Sequence, residues 1–100
     1  MTTYTLAISP LARDDLKYIH AYGSSSWGTT RASTYLDALK EQLWNLLSQP
    51  RMGIERDELL PGMRSLPLGS HVIFYRLRDQ QLEVSRILHQ RQDPQHHLDR

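Results

Sequence analysis

The stretch RSLPLGSHVIFYRLRDQQLEVSRILH, residues 64–89, decides the fold. Its apolar residues recur with a period of two, and two short polar pairs interrupt the pattern. RSLPL, HVIFYRL and LEVSRILH therefore read as three strands. Gly69-Ser70 fits a two-residue hairpin turn, and Asp79-Gln80 fits a second. Pro67 cannot donate to a ladder, which places the first of these strands at a sheet edge. The two turns fix a register. It puts Leu66, Leu68, Ile73, Tyr75, Leu77, Leu82, Val84 and Leu88 on one face, the core face. Ser65, Val72, Phe74, Arg76, Glu83, Ser85, Ile87, His89 and Arg91 fall on the other, open face, with Arg76 opposite Glu83 as a cross-strand pair. A one-residue shift at either turn would exchange the faces.

Before this stretch the period is 3.6. TYTLAI, residues 3–8, alternates and reads as a short first strand. Ser9-Pro10 is a helix start, with the serine as N-cap and the proline at the first helical position. Ala12, Leu16 and Ile19 form the inner stripe of that helix, Asp14 and Asp15 are expected in its first turn, and Gly23 with its following serines is expected to end it. A second helix begins near Thr29-Thr30. Its stripe is Ala32, Leu36, Leu39, Leu43, Leu46 and Leu47, and Pro50 stops it. The two helices should form an antiparallel hairpin. Residues 51–62 read as a connection in which ERDELL makes a helical turn. The expected architecture is α+β, in the order β-α-α-β-β-β, with the helix hairpin on one face of a small antiparallel sheet.

One hundred residues make one domain, residues 1–100, with a single modest core. A formal charge of +1 is too small for general nucleic-acid binding. Arginine outnumbers lysine ten to two, which favours planar contacts to carboxylate or phosphate. There is no cysteine, hence no disulfide framework or thiolate metal site. MTTYTLAISP lacks the pattern of a signal peptide and no window is apolar enough to span a bilayer, so a cytoplasmic protein without membrane contact is expected.

Four segments together carry a likeness: ISPLARDDL at the first helix, YLDALKEQLWNLLSQPRMG at the second, LLPGMRSLPLGSHVIFYRL across the hairpin, and SRILHQRQD at residues 85–93. In order and spacing the chain resembles a ParE-type toxin of the RelE/ParE superfamily, from type II toxin–antitoxin modules. The resemblance implies a toxin that poisons DNA gyrase by trapping it on cleaved DNA. It also implies a ParD-type antitoxin that neutralises the toxin and carries the DNA contact of the complex, so that DNA is met only through antitoxin or gyrase. No cofactor is implied. RelE-type members of the superfamily instead resemble ribosome-dependent mRNA endoribonucleases, with a strand arginine, a basic run and a C-terminal tyrosine. An ungapped comparison puts Val72, Gln92 and Leu98 at three of those positions, while Arg91 keeps one positive charge. These departures favour the gyrase poison over the nuclease. A degenerate toxin that only binds its antitoxin is the third reading.

His89, Arg91, Gln92 and Asp93 are the candidates for contact with the target. Histidine and arginine also suit acid–base work on a phosphodiester, and His96 and His97 are further acids, yet spacing alone builds no paired centre, so no catalytic residue is assigned. The adjacent histidines of QHHL diverge on most backbones and read as a mobile polar tail rather than a metal site. Tyr18, Tyr22 and Trp44 lie off the buried stripes of their helices and are candidate anchors for the antitoxin. Arg86 falls between Val84 and Leu88 on the core face. A buried guanidinium there needs a helix carboxylate, from Asp14, Asp15, Asp37 or Glu41, which makes it structural along with Arg76 and Glu83.

Overall fold

A computed structural model describes residues 3–98. The elements are β1 (Thr5–Ile8), α1 (Pro10–Trp27), α2 (Thr29–Ser48), β2 (Ile54–Glu55), β3 (Met63–Leu68), β4 (His71–Arg78), β5 (Gln81–His89) and α3 (Pro94–His97). One five-stranded sheet runs β1-β5-β4-β3-β2. The meander β3–β4–β5 is antiparallel, as its turns require, while β1 adds to β5 in parallel and makes the sheet mixed.

Both hairpin turns have the expected register, with Leu68 opposite His71 and Arg78 opposite Gln81. Gly69 sits at φ 56, and Asp79 and Gln80 sit at φ 50 and 65. Two positive values in succession are the type I′ signature, whose twist matches that of the strands. Between the turns, however, Tyr75 faces Val84 while Phe74 faces Arg86, so Ser85 is an extra residue, a β-bulge. Ser9 stabilises the bulge. Its Oγ donates to the Ser85 carbonyl at 2.8 Å and accepts the Ala12 N–H at 3.0 Å, so one side chain caps α1 and holds the irregular strand.

The bulge exchanges the faces beyond it. Ile87, not Leu88, joins Ala12, Ile19, Leu39, Leu43, Leu46, Ile73, Tyr75, Leu82 and Val84 in the core under the helix hairpin. Leu88 turns to the opposite face, which is not open. There it joins Met63, Phe74 and Leu98 in a second, smaller core, flanked by Leu59, Leu60 and Val72. His89 accordingly returns to the helix side, opposite His71 rather than beside Val72.

Three further expectations need correction. Gly23 does not end α1, because a helix interrupted by glycine loses only about 1 kcal/mol and here gains a close approach. A Cβ on Gly23 would come within 3.2 Å of both Ala32 and the Trp27 ring. Gly28, at φ 93, alone separates the two helices. Gly23→Leu should therefore pry the hairpin apart and lower stability by about 1–3 kcal/mol in urea unfolding, with no loss of helix propensity to explain it. Asp14 and Asp15 lie beyond the first turn of α1, which contains no acidic residue. The connection 51–62 holds the edge strand β2 as well as a turn. Ile54 and Glu55 pair with Ser65 and Arg64, so β3 is an edge only along its second half, where Pro67 sits.

Candidate functional site

The principal concavity on the helix side is a groove of about 590 Å³ between the exposed face of α1 and the turn-proximal ends of β4 and β5. Tyr18, Tyr22 and Trp27 form one wall. Ser70, His71, His89, Arg91 and Gln92 form the other, with Asp15, Ile19 and Ile87 beneath. The groove thus brings together two of the three aromatic anchors and three of the four target-contact candidates. Trp44 faces solvent on α2 outside it, and Asp93 caps α3 through its Oδ1, which accepts the Gln95 N–H at 3.0 Å.

The aromatic wall is open to solvent. Tyr18 and Tyr22, one helical turn apart, are 70% and 58% exposed, and their rings stack at 6.2 Å. With Trp27, they set three large, partly exposed aromatics side by side along the groove. Trp27 closes the end of the wall and meets Tyr35 edge to face at 6.0 Å.

The polar wall is ordered by local bonds. The Gln92 Oε1 accepts the His89 N–H at 2.8 Å, and the His89 Nδ1 accepts the Arg91 N–H at 3.1 Å. These bonds curl the end of β5 and fix His89 in the tautomer that carries its proton on Nε2. His71 stands against His89, ring edge to ring face, with centroids 5.3 Å apart. Its Nδ1 lies 2.6 Å from the Tyr35 hydroxyl. That hydroxyl also accepts the Ser70 N–H at 3.1 Å and reaches the Leu68 carbonyl at 3.2 Å. Burial pushes the Tyr35 phenol above its usual value, so it stays protonated. Its proton goes to His71 when that ring carries its own on Nε2, and to the Leu68 carbonyl when the ring carries it on Nδ1. Burial, then the neighbouring His89, lower the His71 pKa, and Asp15 pulls weakly the other way.

Tyr35 and His71 did not stand out in the sequence. Tyr35 reads as one more helix residue beside the leucine stripe. His71 faces His89 only because the bulge shifts their register by one. The one available signal was the position of His71 directly after a glycine turn, where a polar residue at a strand start has the option of facing a helix.

Arg86 occupies a different place from the one its sequence neighbours suggest. It lies opposite Phe74, beyond the bulge, at the edge of β5 where β1 has already ended. There Asp15 of α1 meets it in a two-pronged pair, both bonds 2.8 Å, and a further oxygen bond joins the Ile87 N–H at 2.9 Å. Arg86 also donates to the His97 carbonyl at 3.0 Å, tying α3 to the sheet. With Leu98 seated in the second core, residues 94–98 form a docked short helix rather than a loose tail. Glu83 pairs with Arg78 at 3.2 Å and not with Arg76, although the register sets Arg76 directly opposite it. The longer diagonal reach suits two extended side chains better, and the Arg76 Nε is left buried with no partner among the described residues. No cluster of three or more metal-ligating side chains exists among the described residues. Nor is any helix among them long and apolar enough to cross a membrane.

Known proteins share this construction. Residues 6–94 match the family model described as the ParE toxin of the type II toxin–antitoxin system parDE. The toxin ParE1 of Mycobacterium tuberculosis is 37% identical over 92 residues, which span 91% of this chain and 94% of the relative. The toxin ParE1 of Caulobacter vibrioides is 34% identical over 91 residues, spanning 91% and 94%. Among solved structures, a chain of the chromosomal ParDE TA system from P. aeruginosa superimposes with a TM-score of 0.79 at 22% identity, covering 89% of this chain and 98% of that one, and so shares the fold. With its helix hairpin on a five-stranded sheet and its match along nearly the whole length, the chain belongs to the ParE toxin family of type II toxin–antitoxin systems.

Proposed function

We propose that this toxin acts in the cytoplasm by binding DNA gyrase and prolonging its cleaved-DNA state, without itself catalysing a reaction, and that a ParD-type antitoxin neutralises it by filling the groove. The observation that carries the first half is the apolar second core. Val72 and Leu98, which stand where a RelE-type nuclease would have its strand arginine and its tyrosine, pack with Met63, Phe74 and Leu88. An ionic centre for phosphodiester cleavage requires polar groups around an open space. Around Val72 and Leu98 this face of the sheet is packed with apolar side chains, and its polar groups, Arg76, Glu83, Arg86 and His97, line a hollow of about 350 Å³ on the side toward β1. Apolar residues at these two positions support binding as the mode of action, and His89, Arg91 and Gln92 at the mouth of the groove are the surface proposed to meet the target.

The groove's composition supports the second half. Tyr18 and Tyr22 present apolar area at low entropic cost, as anchor sites for a peptide do. Because they line the same groove as His89 and Arg91, an antitoxin segment lying on them would cover the target surface directly.

The test is a supercoiling and cleavage assay with purified gyrase, toxin and ATP, with and without the co-purified antitoxin. Cleaved DNA should accumulate with toxin alone and disappear with antitoxin. Arg91→Ala should weaken the effect by about tenfold or more while leaving the unfolding midpoint unchanged, since Arg91 is exposed and its side chain supports no other element. Intact toxicity in cells without any effect on gyrase would transfer the activity to mRNA on the ribosome.

A further inference from the structure

The polar end of the groove is too specifically arranged to be only a rim. His71 and His89 each have Nδ1 occupied by a local partner, the Tyr35 hydroxyl and the Arg91 N–H. Nothing among the described residues reaches either Nε2. Both rings line the groove. His89, whose Nδ1 accepts, presents an N–H from its far nitrogen, and His71 does so in the tautomer that accepts from Tyr35 and again as the imidazolium. Arg91 adds a guanidinium on the same wall. The one carboxylate in the groove, Asp15, is already held by Arg86 and by the Ile87 N–H. The groove therefore offers donors and positive charge on one wall, aromatic faces on the other, and no free acceptor of comparable strength between them.

We propose that this end of the groove is a carboxylate site, in which an acidic side chain of the antitoxin's docking segment sits against the far nitrogens of His71 and His89 and the Arg91 guanidinium, while its apolar neighbours lie on Tyr18, Tyr22 and Trp27. The inference rests on the reading of the groove as the antitoxin's surface and adds the chemistry of the contact. A phosphate would satisfy the donors equally well but makes no use of the aromatic wall at peptide spacing, whereas an acidic amphipathic segment uses both.

Tyr35 gives the site its second property. With His71 neutral and its proton on Nε2, the Tyr35 O–H points to Nδ1. When His71 takes a proton, Nδ1–H donates back to the Tyr35 oxygen, and the phenol proton turns to the Leu68 carbonyl, 3.2 Å away. The site accepts a charge with no buried group left unpaired. The groups facing His71 are Tyr35 from α2, Asp15 from α1 with its Arg86 partner from β5, and His89 at the end of β5, with Arg91 just beyond it lining the same groove. Burial and His89 keep His71 below its ordinary 6.5 in the free toxin, so it is mostly neutral near pH 7. A bound carboxylate favours the imidazolium. Docking therefore takes up a proton, and affinity rises as pH falls through the value His71 has in the complex.

The experiment follows the ring resonances of His71 and His89 by NMR in the full chain, titrated with 3-phenylpropionate as the probe. Its neutral amide, 3-phenylpropanamide, and inorganic phosphate are the two comparison ligands. The carboxylate should shift both rings, raise the His71 titration midpoint, and bind about tenfold more tightly at pH 6 than at pH 8. The amide should bind at least about tenfold more weakly at pH 6. His71→Gln should fold, keep the aromatic shifts at Tyr18 and Tyr22, and lose the pH dependence. Equal binding of acid and amide would leave a purely apolar groove and overturn the proposal. Preference for phosphate would make the site one for a nucleic-acid backbone, and no shift up to the probe's solubility limit would remove the site altogether. Co-expression separates the two layers. The readout is co-purification of the antitoxin with the tagged toxin. Binding that survives His71→Gln with His89→Gln, but is lost with Tyr22→Ala, keeps the docking surface and discards the carboxylate. Binding that survives all three discards the docking surface too.

Discussion

Asp15→Ala should cost this toxin about 3–5 kcal/mol, enough to unfold much of it at ordinary temperature, and urea denaturation will read the loss directly. The side chain is short and lies on the rim of α1, yet three bonds end on it. Two come from the Arg86 guanidinium at 2.8 Å each, and one from the Ile87 N–H at 2.9 Å. Arg86 and Asp15 are only 16% and 13% exposed, so neither group is well solvated where it stands. Removing the carboxylate leaves a guanidinium with less compensation than its burial requires, and it leaves a strand N–H facing the place where the carboxylate was. Arg86→Leu removes the charge from the other side and also cuts the bond to the His97 carbonyl. The double variant, Asp15→Leu with Arg86→Leu, should recover part of the loss, because an apolar pair has no desolvation to offset. A single Asp15→Ala protein that melts within a degree or two of the parent would show that the pair contributes nothing net.

Tyr75→Phe is the second large expectation, at about 2–4 kcal/mol for the loss of one oxygen. Tyr75 is fully buried at the centre of β4. Its hydroxyl donates to the Pro50 carbonyl at 2.7 Å and accepts the Gly53 N–H at 2.9 Å. Burial raises its pKa, and the Gly53 bond opposes this only in part, so the group remains a neutral phenol that both donates and accepts. The hydroxyl is thus the peg that holds the chain between the end of α2 and β2. Phenylalanine would leave two backbone groups without partners in a dry place, each costing about 1–3 kcal/mol. Hydrogen exchange at Gly53 and in β2 should accelerate far more than exchange in β5. Gly53 itself admits no side chain, because a Cβ there would lie 2.7 Å from that same hydroxyl and 2.9 Å from the Ser65 carbonyl. Uniform acceleration across all five strands would argue that Tyr75 supports the core as a whole and not this connection.

Much of this architecture was legible in the sequence because it rests on short-range rules. Ser9-Pro10 starts a helix wherever it precedes an amphipathic run. The two turn pairs place their strands in register without reference to the rest of the molecule. The elements that escaped the reading depend on partners far along the chain. Ser85 bulges because Ser9 takes its carbonyl, and in RILH two successive apolar residues conceal which of them faces the helices. Gly23 reads as a breaker until Ala32 is seen against it. β2 is two residues long, too short to carry a periodicity. The site was divided in the same way. The candidate anchors Tyr18 and Tyr22 stood out as residues off the helix stripes, and His89, Arg91 and Gln92 as a polar strand end. That the two sets share one groove, with Tyr35 and His71 behind it, follows from the bulge and so could not be read in advance.

The parallel pairing of β1 with β5 also governs when the molecule comes into being. Ser9 and Ser85, which join across this seam, are separated by 76 positions. No other strand among the described residues borders β1. Such a long loop is closed late, after the local hairpins have formed. During synthesis the first strand must wait, unpaired, for nearly everything that follows it, including Arg86 for Asp15 and His89 for His71. The helix hairpin and the β3–β4 hairpin can form on a growing chain, but the groove cannot, since one of its walls is the last strand to be made. A half-made copy therefore carries the aromatic wall with Ser70 and His71 but without His89, Arg91 and Gln92. The toxin's groove is assembled in a single late step, and a partner waiting beside the ribosome would meet the finished surface at the moment it first exists.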